Sequence, residues 1–221
     1  MEDNNKKLSE DGKKSNNNSN TQYNSIIQSS NSNSINENTE RRIISKISEL
    51  LNDICEENRK DFKNDKNPNL KIFVSKIIPN ISIKDYLERL YKYTKMNSST
   101  IILILIYIDR LCNMYKFKLT YYNIHKLILA SMIIAIKYNE DACFFNKNYA
   151  KIGGVSTTEL CFLEYNFISL INFNLFVSEE LFKKYNDYIS SADSEEDEFE
   201  NDDDSDNDVY NNNENTKDNN V

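Results

Sequence analysis

Only three glycines and two prolines punctuate the 221 residues, and this scarcity constrains the fold more than any other feature of the chain. Strand-and-turn architectures need such residues at every reversal, whereas helices need few. Pro68, Pro79, Gly153 and Gly154 are the ones that fall near the apolar part of the sequence. That part is the middle. Met1 to about Thr39 is mostly Asn, Ser, Lys and Glu, and the stretch from Ser191 to Val221 is Asp, Glu and Asn, so neither end has the apolar surface to offset the entropy of ordering it. The expectation is an all-α protein with disordered tails at 1–39 and 191–221. Between them lie an N-terminal helix and connection over 40–79, a five-helix unit over 80–177, and a C-terminal helix over 178–190.

Periodicity supports this. From Arg41 to Asn58, Ile43, Ile47, Leu50, Leu51 and Ile54 recur at helical spacing and predict a one-sided helix. Lys60 to Pro79 is a charged connection in which Ile72, Phe73 and Val74 offer a short apolar contact. Ser82 with Asp85 predicts a capped helix carrying Ile83, Tyr86, Leu87, Leu90 and Thr94 on one face and ending near Lys95. A second helix starts in the Ser98-Ser99-Thr100 region and runs to about Tyr115. A third begins at Thr120 and covers Ile124 to Tyr138, apolar nearly all round, as befits a helix enclosed by others. A short segment around Tyr149–Ile152, a turn at Gly153-Gly154 and a helix opened by Ser156 and Glu159 follow, the last with a stripe of Leu160, Leu163, Phe167, Leu170 and Ile171. The final piece, from Ser178, presents Leu181, Phe182, Tyr185 and Ile189.

The formal net charge of -8 comes from one end. Ser191–Val221 holds 13 acidic residues and one lysine, while the rest of the chain, with 26 basic and 22 acidic residues, is mildly positive. No Lys/Arg run with interleaved aromatics tracks a phosphate backbone, so no nucleic-acid partner is expected. The most apolar run, Ile101–Ile108, is too short to span a bilayer, so no membrane partner is expected either. No N-terminal signal is visible, and an intracellular location is expected. The cysteines, Cys55, Cys112, Cys143 and Cys161, form no CxxC pair and are expected to be buried, reduced thiols. The single histidine, His125, sits among Ile124, Leu127 and Ile128 and is expected to pack or cap rather than act as a base. No cradle for a phosphate, no metal-ligand spacing and no catalytic constellation are present; no catalysis, no cofactor and no metal are expected.

The stretch from Ser82-Ile83-Lys84-Asp85 through Tyr107-Ile108-Asp109-Arg110, Asn148-Tyr149-Ala150-Lys151-Ile152-Gly153-Gly154, and Glu159-Leu160 with Leu163-Glu164 resembles the PHO-type (P/U-type) cyclin box over about Asn80 to Val177. The resemblance implies a single five-helix cyclin box, and a regulatory subunit that binds and activates a cyclin-dependent protein kinase. It places Lys137, at the end of the third box helix, and Glu164, in the fifth, on the face that grips the kinase's C helix. At the rim of an apolar patch such a pair can hydrogen-bond backbone groups of an incoming helix end; as residues alone they are an ordinary exposed ion pair. Asp141 either meets an arginine of the kinase activation segment or is a solvated loop carboxylate. Phe144, Phe145 and Tyr149 are the candidate anchors of the interface.

Many cyclins carry an arginine early in the first box helix that pairs with the Asp of the Tyr-Ile-Asp-Arg segment. Here Asn80 stands at that place, so Arg89 is the candidate partner of Asp109, and a substrate-docking site there is in doubt. Ser194 and Ser205, each followed by acidic residues, are candidate phosphorylation sites. The rival expectation is a cyclin-fold helical adaptor or transcription-factor-like module that activates no kinase. That reading calls for a basic face and commonly a second box, whereas Asn80–Ser190 has 13 basic against 10 acidic residues.

Overall fold

A computed structural model describes residues 17–59 and 68–191, with 17–36 described by their helical backbone alone. All regular structure among them is helical: α1 (Asn17–Glu57), a 3-10 turn (Pro68–Phe73), α2 (Ile83–Thr94), α3 (Ser98–Tyr115), α4 (Ile124–Asn139), α5 (Asn146–Gly153), α6 (Thr157–Leu170) and α7 (Glu179–Ser191). Ser194 and Ser205 lie outside the described residues.

α1 corrects one expectation. The helix begins at Asn17, well before Arg41, so residues 17–39 are not the structureless stretch their composition suggested. Asn and Ser are poor helix formers, but extending an existing helix avoids the cost of nucleation. The nucleus is the packed end, where Ile43, Ile44, Ile47, Leu51 and Cys55 are buried. Glu37 adds an ion pair to Lys95 of the α2 C-cap at 2.7 Å.

The local signals act as expected at several ends. Ser82 Oγ accepts from Asp85 N–H at 3.0 Å, and Ser156 Oγ accepts from Glu159 N–H at 3.1 Å. The N-cap of α3 is Asn97, one residue before the expected region, with Oδ1 accepting from Thr100 N–H at 3.0 Å. α4 starts at Ile124 rather than Thr120, because Asn123 folds back and its Oδ1 accepts from Thr120 N–H at 2.9 Å.

α3 and α4 form the centre. Every side chain of α3 from Thr100 to Ile108 is buried, as is every one of α4 from Leu127 to Ile136. By length and composition α3 alone among the described helices suits a membrane crossing; here α1, α4 and α7 pack around it. α6 closes the far side of α4, and Phe73 of the 3-10 turn meets Phe167 of α6 edge-on at 5.9 Å. Gly153 sits where a Cβ would lie 2.6 Å from both Leu129 methyls, so the end of α5 packs on Leu129 of α4 with no room for a side chain. Gly154, with φ 74°, then ends the helix in the left-handed conformation that glycine adopts without strain.

Glu140 ties the two central helices together. From the C-cap of α4 its carboxylate accepts from Asn97 N–H at 3.0 Å, Thr100 Oγ1–H at 2.5 Å and Asn97 Nδ2–H at 3.1 Å, placing negative charge at the N-terminus of α3. Glu140→Ala should cost about 1.5–3 kcal/mol by chemical denaturation, the range for hydrogen bonds to a charged group.

His125 is packed, 6 % exposed, with Nε2–H donating to Ile81 O at 2.9 Å and its ring edge-on to Tyr86 at 5.1 Å. Nδ1 is buried with no partner among the described residues. Burial lowers its pKa below the usual histidine value, against an opposing contribution from the Ile81 carbonyl. The unfolded chain therefore takes up a proton near pH ~6.5 that the native state refuses. Stability should fall as the pH is lowered through about 6.5, until the native imidazole itself titrates, and His125→Gln should flatten that slope in urea unfolding curves.

Of the cysteines, Cys55 is buried, and burial pushes its thiol up to about 12. Cys112 is half-buried, and Cys143 and Cys161 are exposed, against expectation, Cys143 in the irregular segment after α4 and Cys161 off the buried stripe of α6. None of the four is in a disulfide.

Candidate functional site

The end of α4, the segment 140–145, the start of α5 and the outer side of α6 meet on one face. Lys137 Nζ and Glu164 Oε1 are 2.5 Å apart, and their side chains are 34 % and 20 % exposed, a pair at the rim rather than in open solvent. Asn146 Nδ2–H donates to the other carboxylate oxygen, Oε2, at 2.9 Å, so Glu164 is held from two sides. The ammonium keeps two further N–H donors and the carboxylate further lone pairs, enough to engage backbone groups of an approaching chain.

The aromatic residues divide. Phe145 is 85 % exposed and Phe144 is 48 % exposed, so both present apolar surface. Tyr149 is 1 % exposed, and its assignment as an interface anchor is corrected. It is a brace: its hydroxyl accepts from Phe144 N–H at 2.9 Å and its ring lies 5.7 Å from that of Phe144, fixing the loop that carries both phenylalanines. Burial raises its pKa. Asp141 is exposed in the same segment.

The Arg89–Asp109 pair is also corrected. Asp109 Oδ2 accepts from Tyr185 O–H at 2.7 Å and from Asn113 Nδ2–H at 2.8 Å, facing α7. Arg89 faces α5, with Nη2–H donating to Lys151 O at 3.5 Å. The two sit on different sides of the unit, so no side chain bridges them. Within the Tyr-Ile-Asp-Arg segment, Tyr107 O–H donates to Leu175 O at 3.0 Å, and Arg110 donates to Asn174 O and, at 3.0 Å, to Phe176 O. These residues pin the connection between α6 and α7.

Three members of this face were not anticipated from the sequence. Asn146 orients Glu164, and Phe162 and Tyr165, one turn apart on the outer side of α6, are 57 % and 66 % exposed. The available signal was two aromatics off the apolar stripe of α6; nothing in the sequence marks Asn146. Among the described residues no group of His, Cys, Asp and Glu has the arrangement to hold a metal ion.

The described residues form an all-helical box with an exposed aromatic and ionic rim. The family model described as Cyclin matches residues 7–175. Cyclin-U2-1 of Arabidopsis thaliana is 38 % identical over 116 residues, 52 % of either chain. The PHO85 cyclin-like protein psl1 of Schizosaccharomyces pombe is 38 % identical over 128 residues, 57 % of this chain and 52 % of that one. Cyclin-U4-2 of Arabidopsis thaliana is 35 % identical over 157 residues, 69 % of this chain and 70 % of that one. The chain belongs to the cyclin family and, within it, to the PHO-type. Cyclin-U4-2 apart, it spans about half the length of the first relatives it matches.

Proposed function

We propose that this chain is an intracellular, non-catalytic regulatory subunit that binds and activates a cyclin-dependent protein kinase. The observation that carries the reading is the Lys137–Glu164 pair, preformed across α4 and α6, steadied by Asn146 and bordered by Phe144 and Phe145. A rigid ionic clamp beside exposed aromatics fits the end of a partner helix: the charges fix register, and the aromatics supply buried area. The kinase's C helix, seated there, is pressed inward until its glutamate reaches the lysine that holds the ATP phosphates, so binding energy becomes a population shift. Asp141, exposed in the segment after α4, is the residue proposed to meet an activation-segment arginine. Such an interface buries on the order of 1,200–2,000 Å².

The test is copurification with one identified cyclin-dependent kinase, followed by a phosphotransfer assay with and without the chain. Stimulated phosphotransfer is the expected result. A kinase bound but not stimulated would instead establish the helical adaptor.

A further inference from the structure

We propose that the basic groove between α2 and α5 is the docking site of the chain's own acidic segment, residues 192–221. The groove, about 660 Å³, is formed by Arg89, Lys92 and Tyr93 on one side and Phe144, Asn148 and Lys151 on the other. No carboxylate lines it. Arg89, Lys92 and Lys151 are exposed, and none of them is in an ion pair among the described residues. Lys92 Nζ lies 5.8 Å from the Tyr93 ring centroid, and Arg89 makes only the long bond to Lys151 O. Three like charges therefore converge on a concave surface with aromatic walls, where field lines focus and an anionic chain is drawn in.

The acidic segment is complementary in both respects. It holds 13 acidic residues against one lysine, and it sets aromatics among them, in Glu198-Phe199-Glu200 and Asp208-Val209-Tyr210. Carboxylates meet the three cations while the aromatic between them meets Tyr93 or Phe144. Other lysines are a poorer match: Lys183 and Lys184 stand on α7 with Glu179, Glu180 and Asp187, so their field is already offset. Reach does not limit the contact. From Ser191, thirty residues extend to roughly 100 Å, against a radius of roughly 15 Å for a domain of this size. Tethering supplies an effective concentration of about a millimolar, so screened, individually weak contacts suffice. Phe144 also belongs to the face proposed to meet the kinase, so docked segment and partner compete for it. That consequence rests on the proposed function; the docking itself does not.

The experiment is zero-length carbodiimide crosslinking of the full chain, alone, as an equal mixture of isotopically light and heavy copies, read by mass spectrometry. Carboxylates of 193–208 should join Lys92 and Lys151 within one copy. The yield should fall several-fold at about 0.5 M salt and in Arg89→Glu, whose fold is checked by circular dichroism. Crosslinks falling equally on lysines outside the groove, such as Lys116 and Lys183, would overturn the proposal. So would links formed only between copies, or a yield at Lys92 and Lys151 indifferent to Arg89→Glu. No kinase is present, so failure here leaves the proposed function standing, and loss of that function leaves this result standing.

Discussion

Phe167→Ala should lower the unfolding free energy by about 3–5 kcal/mol, the range for removing a fully buried phenylalanine. For a domain of this size that corresponds to a fall of roughly 10 °C in Tm. Phe167 has no exposed surface and sits on α6 where that helix closes over α4, with Phe73 edge-on at 5.9 Å. Truncation leaves a cavity between three elements of different sequence origin: the 3-10 turn, α4 and α6. Helices in a tight box do not collapse easily into such a gap, so the upper half of the range is expected. Phe73→Ala removes the other ring, and the double variant should fall short of the sum of the singles by about 0.5–1.5 kcal/mol, the usual worth of an aromatic pair beyond its area. Phe162→Ala, on the outer side of the same helix and 57 % exposed, is the control and should stay within ~0.5 kcal/mol of wild type. Equal losses for Phe162→Ala and Phe167→Ala in chemical denaturation would contradict the assignment of the α6 core face.

The helices were open to a reading of the sequence because their signals are local. Ser82 with Asp85, Ser156 with Glu159, and the stripes of α2 and α6 declare ends and buried faces within a few residues of themselves. Where a reading failed, the deciding contact came from far along the chain. Asp109 is met by Tyr185, 76 residues away, and Tyr149 is buried by the way α5 folds onto α2 and α6. Glu140, a plain loop acid in the sequence, caps α3 across 43 residues. α1 shows the opposite failure: Asn-rich composition argued against a helix locally, and packing further along sustained it. The candidate site divides in the same way. Lys137 and Glu164 were found through the family resemblance and lie together; Asn146, which steadies them, carries no sequence signal of its own.

Exchanging the two charges of the rim separates a brace from a clamp. Lys137→Glu or Glu164→Lys alone sets like charges face to face, yet the pair is partly solvated, so each should cost no more than about 1 kcal/mol of stability. Binding to a cyclin-dependent kinase should suffer far more, by about 2–5 kcal/mol, or some thirty-fold to several thousand-fold in Kd, because each variant leaves a desolvated charge unmatched across the interface. The double exchange, Lys137→Glu with Glu164→Lys, rebuilds an internal ion pair with its polarity reversed. Its Tm should return close to wild type, while the partner's backbone groups now face the wrong charges, so binding and phosphotransfer should stay as weak as in the singles. If affinity instead recovers along with Tm, the pair only braces α4 against α6. The kinase-facing role would then pass to Phe144, Phe145 and the exposed aromatics of α6.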